Sequence, residues 1–212
     1  MKIILNKKNL KEFINTERNL GFVPTMGSIH AGHETLIKKS INECNITIVS
    51  IFVNKPQFNS KIDFKKYPIN IQKDLHILKK LKVDFVYLPQ IKEIYPKGPN
   101  KKIKISSFEK KLCGKYRPGH FRAVVDVIER FINIINPKKI YLGEKDMQQL
   151  KIIENFISKK YPLINVIPCK TIREKNGIAY SSRNLNLSKK EKIIASSVYK
   201  AIRKEKLNLI EK

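Results

Sequence analysis

Tryptophan is absent from this chain, and acidic residues are scarce: 18 Asp and Glu face 44 Lys and Arg, a net charge of +26 over 212 residues. Arginine is scarce too, since 37 of the basic residues are lysine. Such charge first suggests nucleic acid as a partner, but base and phosphate readout favour planar Arg forks and stacking aromatics. Here the lysines run in pairs along the whole chain, without a stripe interleaved with aromatic residues. Lys, Ile and Asn fill about two-fifths of the sequence, the usage that A/T-rich codons produce. Most of the charge therefore reads as solvated surface, and no nucleic-acid partner is expected.

Cysteine is equally sparse. Cys44, Cys113 and Cys169 are odd in number and form no CxxC pair, which excludes a disulfide framework and a cysteine zinc site and suits a reducing cytoplasm. Long apolar runs are missing as well. The stretch Ile46–Val53 falls far short of the ~20 residues that a membrane span needs, so no membrane partner is expected. The start, MKIILNKKNLKEF, breaks its apolar stretch at Asn6, Lys7 and Lys8 and so lacks the apolar core of a secretory signal. With 42% hydrophobic residues, the chain still has the material for a sizeable core.

From Asn19 onward, short β-branched runs alternate with stretches of helical period. Strands are expected at Leu20–Pro24, Ile46–Val53, Val83–Leu88, Lys139–Leu142 and Ile164–Cys169. Helices are expected at His33–Glu43, Ile71–Leu81, Phe121–Ile135 and Asp146–Lys159. This alternation predicts an α/β fold, a Rossmann-like doubly wound parallel sheet that binds ligands beyond the carboxyl ends of its strands. Ser188 followed by Glu191 reads as a capping box that opens one more helix. The expected division is a catalytic domain over 1–187 and, over 188–212, only the start of a small carboxyl-terminal domain.

Four segments carry chemistry. In Pro24-Thr-Met-Gly-Ser-Ile-His30-Ala-Gly-His33 a strand gives way to a glycine-bearing loop and a helix, whose free N–H groups and dipole favour phosphate. Its HxxH spacing is also compatible with half a metal site or with two structural histidines. Asn54 and Gln57 follow the buried strand, where uncharged amides can hold a hydroxyl or carboxylate or merely shape a turn. In LGEKDMQQ, Lys145 sits at a helix start, against the dipole, a placement that suits a facing phosphate or a solvated surface. Around Tyr180-Ser-Ser-Arg183, two hydroxyls and a guanidinium make a triphosphate clamp.

Together with RPGHF at Arg117–Phe121, these segments resemble the pantothenate synthetase (pantoate–β-alanine ligase) family from about Gly21 to Ser188, in family order. That family belongs to the nucleotidyltransferases with a HIGH-type motif, to which HAGH at His30–His33 corresponds. The resemblance implies two steps: ATP and pantoate form pantoyl adenylate and pyrophosphate, then β-alanine displaces AMP to give pantothenate. It implies an ATP site of Met26, Gly27, Ser28, Ile29, His30, Ala31, Gly32, His33, Gly143, Glu144, Lys145, Asp146, Ile172, Tyr180, Ser181, Ser182 and Arg183. His33, His30, Lys145 and Arg183 would be catalytic, with His33 as proton donor. Gln57 and Gln149 would hold pantoate, Gln57 also meeting β-alanine, with Asn54 in support. Magnesium is expected with the nucleotide, its ligands unidentified, and a homodimer is expected.

The chain departs from the family pattern in three places. Lys55 stands between Asn54 and Pro56, which is expected to shift the backbone beneath the pantoate pocket although Gln57 keeps its spacing. Ile69 replaces the arginine that usually follows the Tyr-Pro pair. The carboxyl-terminal domain that closes over ATP is represented only by its first helix, which is expected to admit water or weaken ATP binding. The alternatives are a different nucleotidyltransferase, or a catalytically impaired remnant or basic RNA-binding protein on the same fold.

Overall fold

Six strands align in one parallel sheet: β1 (Lys2–Ile4), β2 (Leu20–Thr25), β3 (Ile46–Ile51), β4 (Phe85–Tyr87), β5 (Lys139–Gly143) and β6 (Asn165–Cys169). The computed structural model describes residues 1–14 and 19–210, the last four by their backbone. Between and after the strands run α1 (Lys7–Ile14), α2 (Ala31–Glu43), α3 (Lys61–Lys66), α4 (Ile71–Lys80), α5 (Ile91–Ile94), α6 (Cys113–Tyr116), α7 (His120–Ile135), α8 (Met147–Lys160) and α9 (Lys189–Ile210). The expected doubly wound α/β architecture is what forms.

Strand order is β1-β4-β3-β2-β5-β6. From β2 the chain steps outward through β3 to β4, then returns to lay β5 on the other side of β2. The order reverses between β2 and β5, where doubly wound sheets open a crevice at their carboxyl ends. The segments after both strands, Met26–His33 and Glu144–Asp146, flank that crevice.

Alternate residues of the central strands feed two cores. Phe22, Ile48 and Ile140 join Leu10, Val125, Ile132 and Leu150 on the face covered by α1, α7 and α8. Val23, Val49 and Ile51 join Leu36, Ile37 and Leu78 beneath α2 and α4. Burial on both faces explains why β3 reads as an apolar run broken only by the small buried residues Thr47 and Ser50, rather than as an alternating strand. It stops at Ile51, two residues short of expectation, because its last rung pairs with Thr25 at the end of β2. Phe52 through Asn54 then turn toward the crevice.

Five named elements had no sequence expectation: β1, α1 and the short helices α3, α5 and α6. β1 is a three-residue edge strand paired with β4 through Ile3↔Val86, and α1 buries Leu10 and Ile14 after it. At the other end the Ser188–Glu191 capping box forms in full. The Glu191 N–H donates to Ser188 Oγ at 3.2 Å, and the Ser188 N–H donates to Glu191 Oε2 at 2.7 Å. α9 docks by Tyr199, whose ring fills the space a side chain at Gly177 would need and carries the Arg173 guanidinium 3.8 Å from its centroid.

Candidate active site

A cleft of about 250 Å³ opens at the reversal point, between the ends of β2, β3 and β5 and the 170–183 segment. It brings together Met26, His30, Gly32, His33, Asn54, Gln57, Gly143, Lys145, Asp146, Gln149, Ile172, Tyr180, Ser181, Ser182 and Arg183, most of the residues the sequence singles out. Gly27, Ser28, Ile29, Ala31 and Glu144 are not among its lining residues.

The loop after β2 explains that difference. The Asp74 carboxylate, buried on α4, accepts the N–H of Ser28 at 2.8 Å and of Ile29 at 2.7 Å. The Gly27 N–H donates to Thr25 Oγ1 at 3.1 Å. Part of the expected phosphate cradle is therefore already occupied by protein, and Ile29 sinks its side chain into the core. Gly27, at φ +80°, lies where a Cβ would strike Asp74 Oδ2 at 2.8 Å, so this tight turn requires glycine. Gly32 also serves a protein contact: its missing side chain makes room for the His30 imidazole, 3.0 Å from where a Cβ would stand.

His30 is the N-cap of α2, its Nδ1 accepting the His33 N–H at 3.4 Å. The two imidazoles stack at 4.0 Å between centroids, and Tyr180 extends the stack at 6.1 Å from His30. Desolvation, then His30, then Lys145 push the His33 pKa down to about 3. Desolvation and Lys145 lower that of His30 as well. Both rings are thus neutral near pH 7. His33 Nδ1 is buried without a partner among the described residues, so the ring's Nε2 edge is the one left to work.

His120, from the RPGHF motif, is likewise depressed to about 4, chiefly by burial, while its Nδ1 lies 2.8 Å from the carbonyl oxygen of Gln57. These shifts fix a pH dependence. An unfolded histidine titrates near 6.5, so on acidification the unfolded state takes up protons that folded His33 and His120 refuse. Stability is present above pH 6.5 and is lost as the pH falls toward 4. Urea unfolding at pH 7 and pH 5 is expected to differ by on the order of 2 kcal/mol, with the lower stability at pH 5.

Cations crowd the cleft: Arg117, Lys145, Lys170 and Arg183 line it, against Asp146 as the one carboxylate among the lining residues. Lys145 lies in a short 3-10 turn ahead of α8, its Nζ 3.0 Å from Asp146 Oδ1. The 180–183 clamp is closed on itself. Arg183 forms a bidentate pair with Asp63 of α3 at 2.9 and 2.8 Å, and its guanidinium lies 5.4 Å from the Tyr67 ring. Ser182 accepts from the Tyr67 hydroxyl at 3.4 Å and donates to the Ser28 carbonyl at 3.3 Å, tying the clamp to the loop after β2. Ser181 caps the following turn through the Arg183 N–H.

Uncharged amides, Asn54, Gln57 and Gln149, also line the cleft. Asn54 is only 1% exposed and its side chain bonds Gln57, Tyr95 and Ala123, so it acts on a ligand through Gln57 rather than by contact of its own. With the Lys55-Pro56 order Gln57 still lines the cleft, and Pro56 occupies a turn position whose N–H makes no bond. The turn closes through Gln57 N–H to Asn54 O at 3.2 Å and Phe58 N–H to Lys55 O at 3.1 Å. Ile69 is exposed, well away from any core. Sequence reasoning did not single out Asp63, Tyr67, Asp74, Arg117 and His120 as site residues, although the RPGHF and Tyr-Pro motifs contained three of them.

A family model described as "Pantoate-beta-alanine ligase" matches residues 2–211. The chain belongs to the pantoate–β-alanine ligase family. Within it, the chain is 42% identical over 198 residues to a pantothenate synthetase of Aquifex aeolicus, covering 92% of this chain and 70% of that protein. It is 42% identical over 204 residues to one of Cytophaga hutchinsonii, covering 96% and 70%. Among solved ligases of the family, one from Francisella tularensis, complexed with beta-gamma ATP and beta-alanine, superposes with a TM-score of 0.91 at 40% identity, over 96% of this chain and 79% of that one. A pantothenate synthetase from Thermus thermophilus gives 0.90 at 32% identity, over 95% and 73%.

Proposed function

We propose that this chain condenses pantoate with β-alanine, using ATP, by way of a pantoyl adenylate. The observation that carries this reading is a single cleft lined both by the paired histidines, Lys145 and Arg183 and by the uncharged amides of Gln57 and Gln149. A carboxylate does not accept an amine near neutral pH because oxide is too poor a leaving group. Attack of the pantoate carboxylate on the α-phosphorus of ATP breaks the bond to the β-phosphate and releases pyrophosphate. The β-alanine amine then attacks the acyl carbon, and AMP departs as the nitrogen loses its proton. No enzyme nucleophile is required, so positioning and charge stabilisation carry the catalysis.

The residues suit these tasks. Lys145 and Arg183 meet the phosphates, Arg183 leaving Asp63 to do so. His33, neutral in the free protein, gains affinity for a proton when phosphate charge arrives beside it, which equips it as the donor to the departing pyrophosphate. The Gln149 side chain makes no hydrogen bond among the described residues, and it holds pantoate with Gln57. Arg117, without an ion pair among the described residues, faces the β-alanine carboxylate. Magnesium belongs to this reading as well. No group of three or more His, Cys, Asp or Glu side chains among the described residues could hold a metal. That fits an ion carried in by the phosphates with its own waters, Asp146 standing nearest in kind as a ligand. Bound there, it would neutralise the leaving pyrophosphate.

The homodimer and the cytoplasmic location rest on the family resemblance. No helix among the described residues is long and apolar enough to cross a membrane. The division at 187/188 coincides with the cap of α9. The decisive experiment is exchange of labelled pyrophosphate into ATP, which requires pantoate, followed by AMP and pantothenate release on adding β-alanine. No exchange with pantoate, alongside transfer to another acceptor, would sink the reading.

A further inference from the structure

Gln57 approaches the cleft with its amide already oriented by Asn54, and Asn54 is held in turn by Tyr95, which is not among the lining residues of that cleft. The Ala123 carbonyl can only accept, so the Asn54 group 3.1 Å away is its Nδ2. That nitrogen's second hydrogen goes to Gln57 Oε1 at 2.9 Å, which leaves both Gln57 Nε2 hydrogens for the cleft. Asn54 Oδ1 points the other way and accepts the Tyr95 hydroxyl at 2.7 Å. Tyr95 is itself fixed. It is 7% exposed, packs on Phe52, and lies under the Arg130 guanidinium at 4.5 Å from the ring centroid. Arg130 in turn binds Asp126 Oδ1 at 2.8 Å and the carbonyls of Ile94 and Gly98 at 2.7 and 3.1 Å.

We propose that Tyr95 is a positioning residue for the substrate oxygen that Gln57 binds, acting through the relay Tyr95–Asn54–Gln57. The relay engages one lone pair of Gln57 Oε1 and leaves both Nε2 hydrogens for the cleft, which favours a carboxylate or a hydroxyl oxygen over an ammonium group. This inference rests on the reading of Gln57 as a pantoate ligand, but its geometry stands apart from the substrate's identity. Losing the phenol hydroxyl leaves Asn54 Oδ1 buried and unpaired, so the Asn54 amide is free to rotate and Gln57 loses its fixed orientation.

Tyr95→Phe in the full chain is the test, because phenylalanine keeps the ring beneath Arg130 and against Phe52. Side-chain amide spectra of ¹⁵N-labelled protein, with the Gln57 pair assigned by Gln57→Ala, are expected to show that pair shifted or broadened in the variant. Pantoate affinity by calorimetry is expected to fall about tenfold, with ATP affinity unchanged. In a Gln57→Ala background, Tyr95→Phe is expected to cost nothing further, which a general structural defect would not reproduce. Unchanged Gln57 amide signals overturn the proposal, as does an equal loss of ATP affinity or a pantoate loss that persists without Gln57. If the unsubstituted chain binds no pantoate, the functional reading falls, while the amide spectra still decide the relay.

Discussion

His33→Ala lowers pantoate-dependent pyrophosphate exchange by about 10²–10³-fold while leaving the urea unfolding midpoint at pH 7 nearly unchanged. The two halves of this expectation come from different parts of the same ring. One edge is buried against His30 at the start of α2, where it contributes stacking but no hydrogen bond from Nδ1. Removing it therefore orphans no partner. The other edge faces the cleft beside Lys145, and its pKa of about 3 marks a group whose proton affinity is kept low until negative charge arrives. Adenylate formation moves that charge onto the leaving pyrophosphate, where a donor contributes most. Near-normal exchange by the variant would remove His33 from the chemistry.

Lys145→Met is expected to cost a similar factor, about 10²–10³ in exchange, because a cation 3.0 Å from Asp146 at the end of β5 is placed to neutralise phosphate rather than to hold the fold. It carries a second signature that a simple loss of ligand contact would lack. Lys145 is one cause of the lowered pKa of both histidines, and for His30 it ranks directly after desolvation. Removing the positive charge lets each imidazole keep its proton to higher pH. The titration of the His30 ring, followed by NMR, moves upward in Lys145→Met, and that of His33 moves the same way. Unmoved histidine titrations would show that Lys145 acts at a distance from the pair.

Features written in local sequence are the ones legible without a structure. The Ser188–Glu191 capping box joins residues three positions apart and satisfies itself, so spacing alone identifies it. β3 is legible because burial on both faces leaves only two small hydroxyls, Thr47 and Ser50, from Ile46 to Ile51. β1 is not: its residues follow the pattern exposed, exposed, buried, and only pairing with β4, more than 80 positions away, makes them a strand. The site divides in the same way. His30, His33, Lys145 and Arg183 belong to contiguous motifs whose composition points to anions. Asp74 looks in sequence like any acid in the first turn of an amphipathic helix, and nothing local says that its carboxylate closes on backbone 45 residues earlier. The same holds for Asp63, whose pairing with Arg183 spans 120 residues. Sequence shows which groups can bind phosphate; the fold shows that several are already engaged.

The Asp63–Arg183 pair also bears on how this protein responds to ionic strength. A cleft lined by Arg117, Lys145, Lys170 and Arg183 would ordinarily lose its hold on a polyanion steeply as salt is added. But the incoming phosphates must first draw Arg183 away from a carboxylate, and the same salt that screens their attraction also loosens that partner. The two effects oppose each other at one guanidinium. ATP affinity is therefore flatter against salt than the number of cations in the cleft alone implies, and Asp63→Asn makes it steeper.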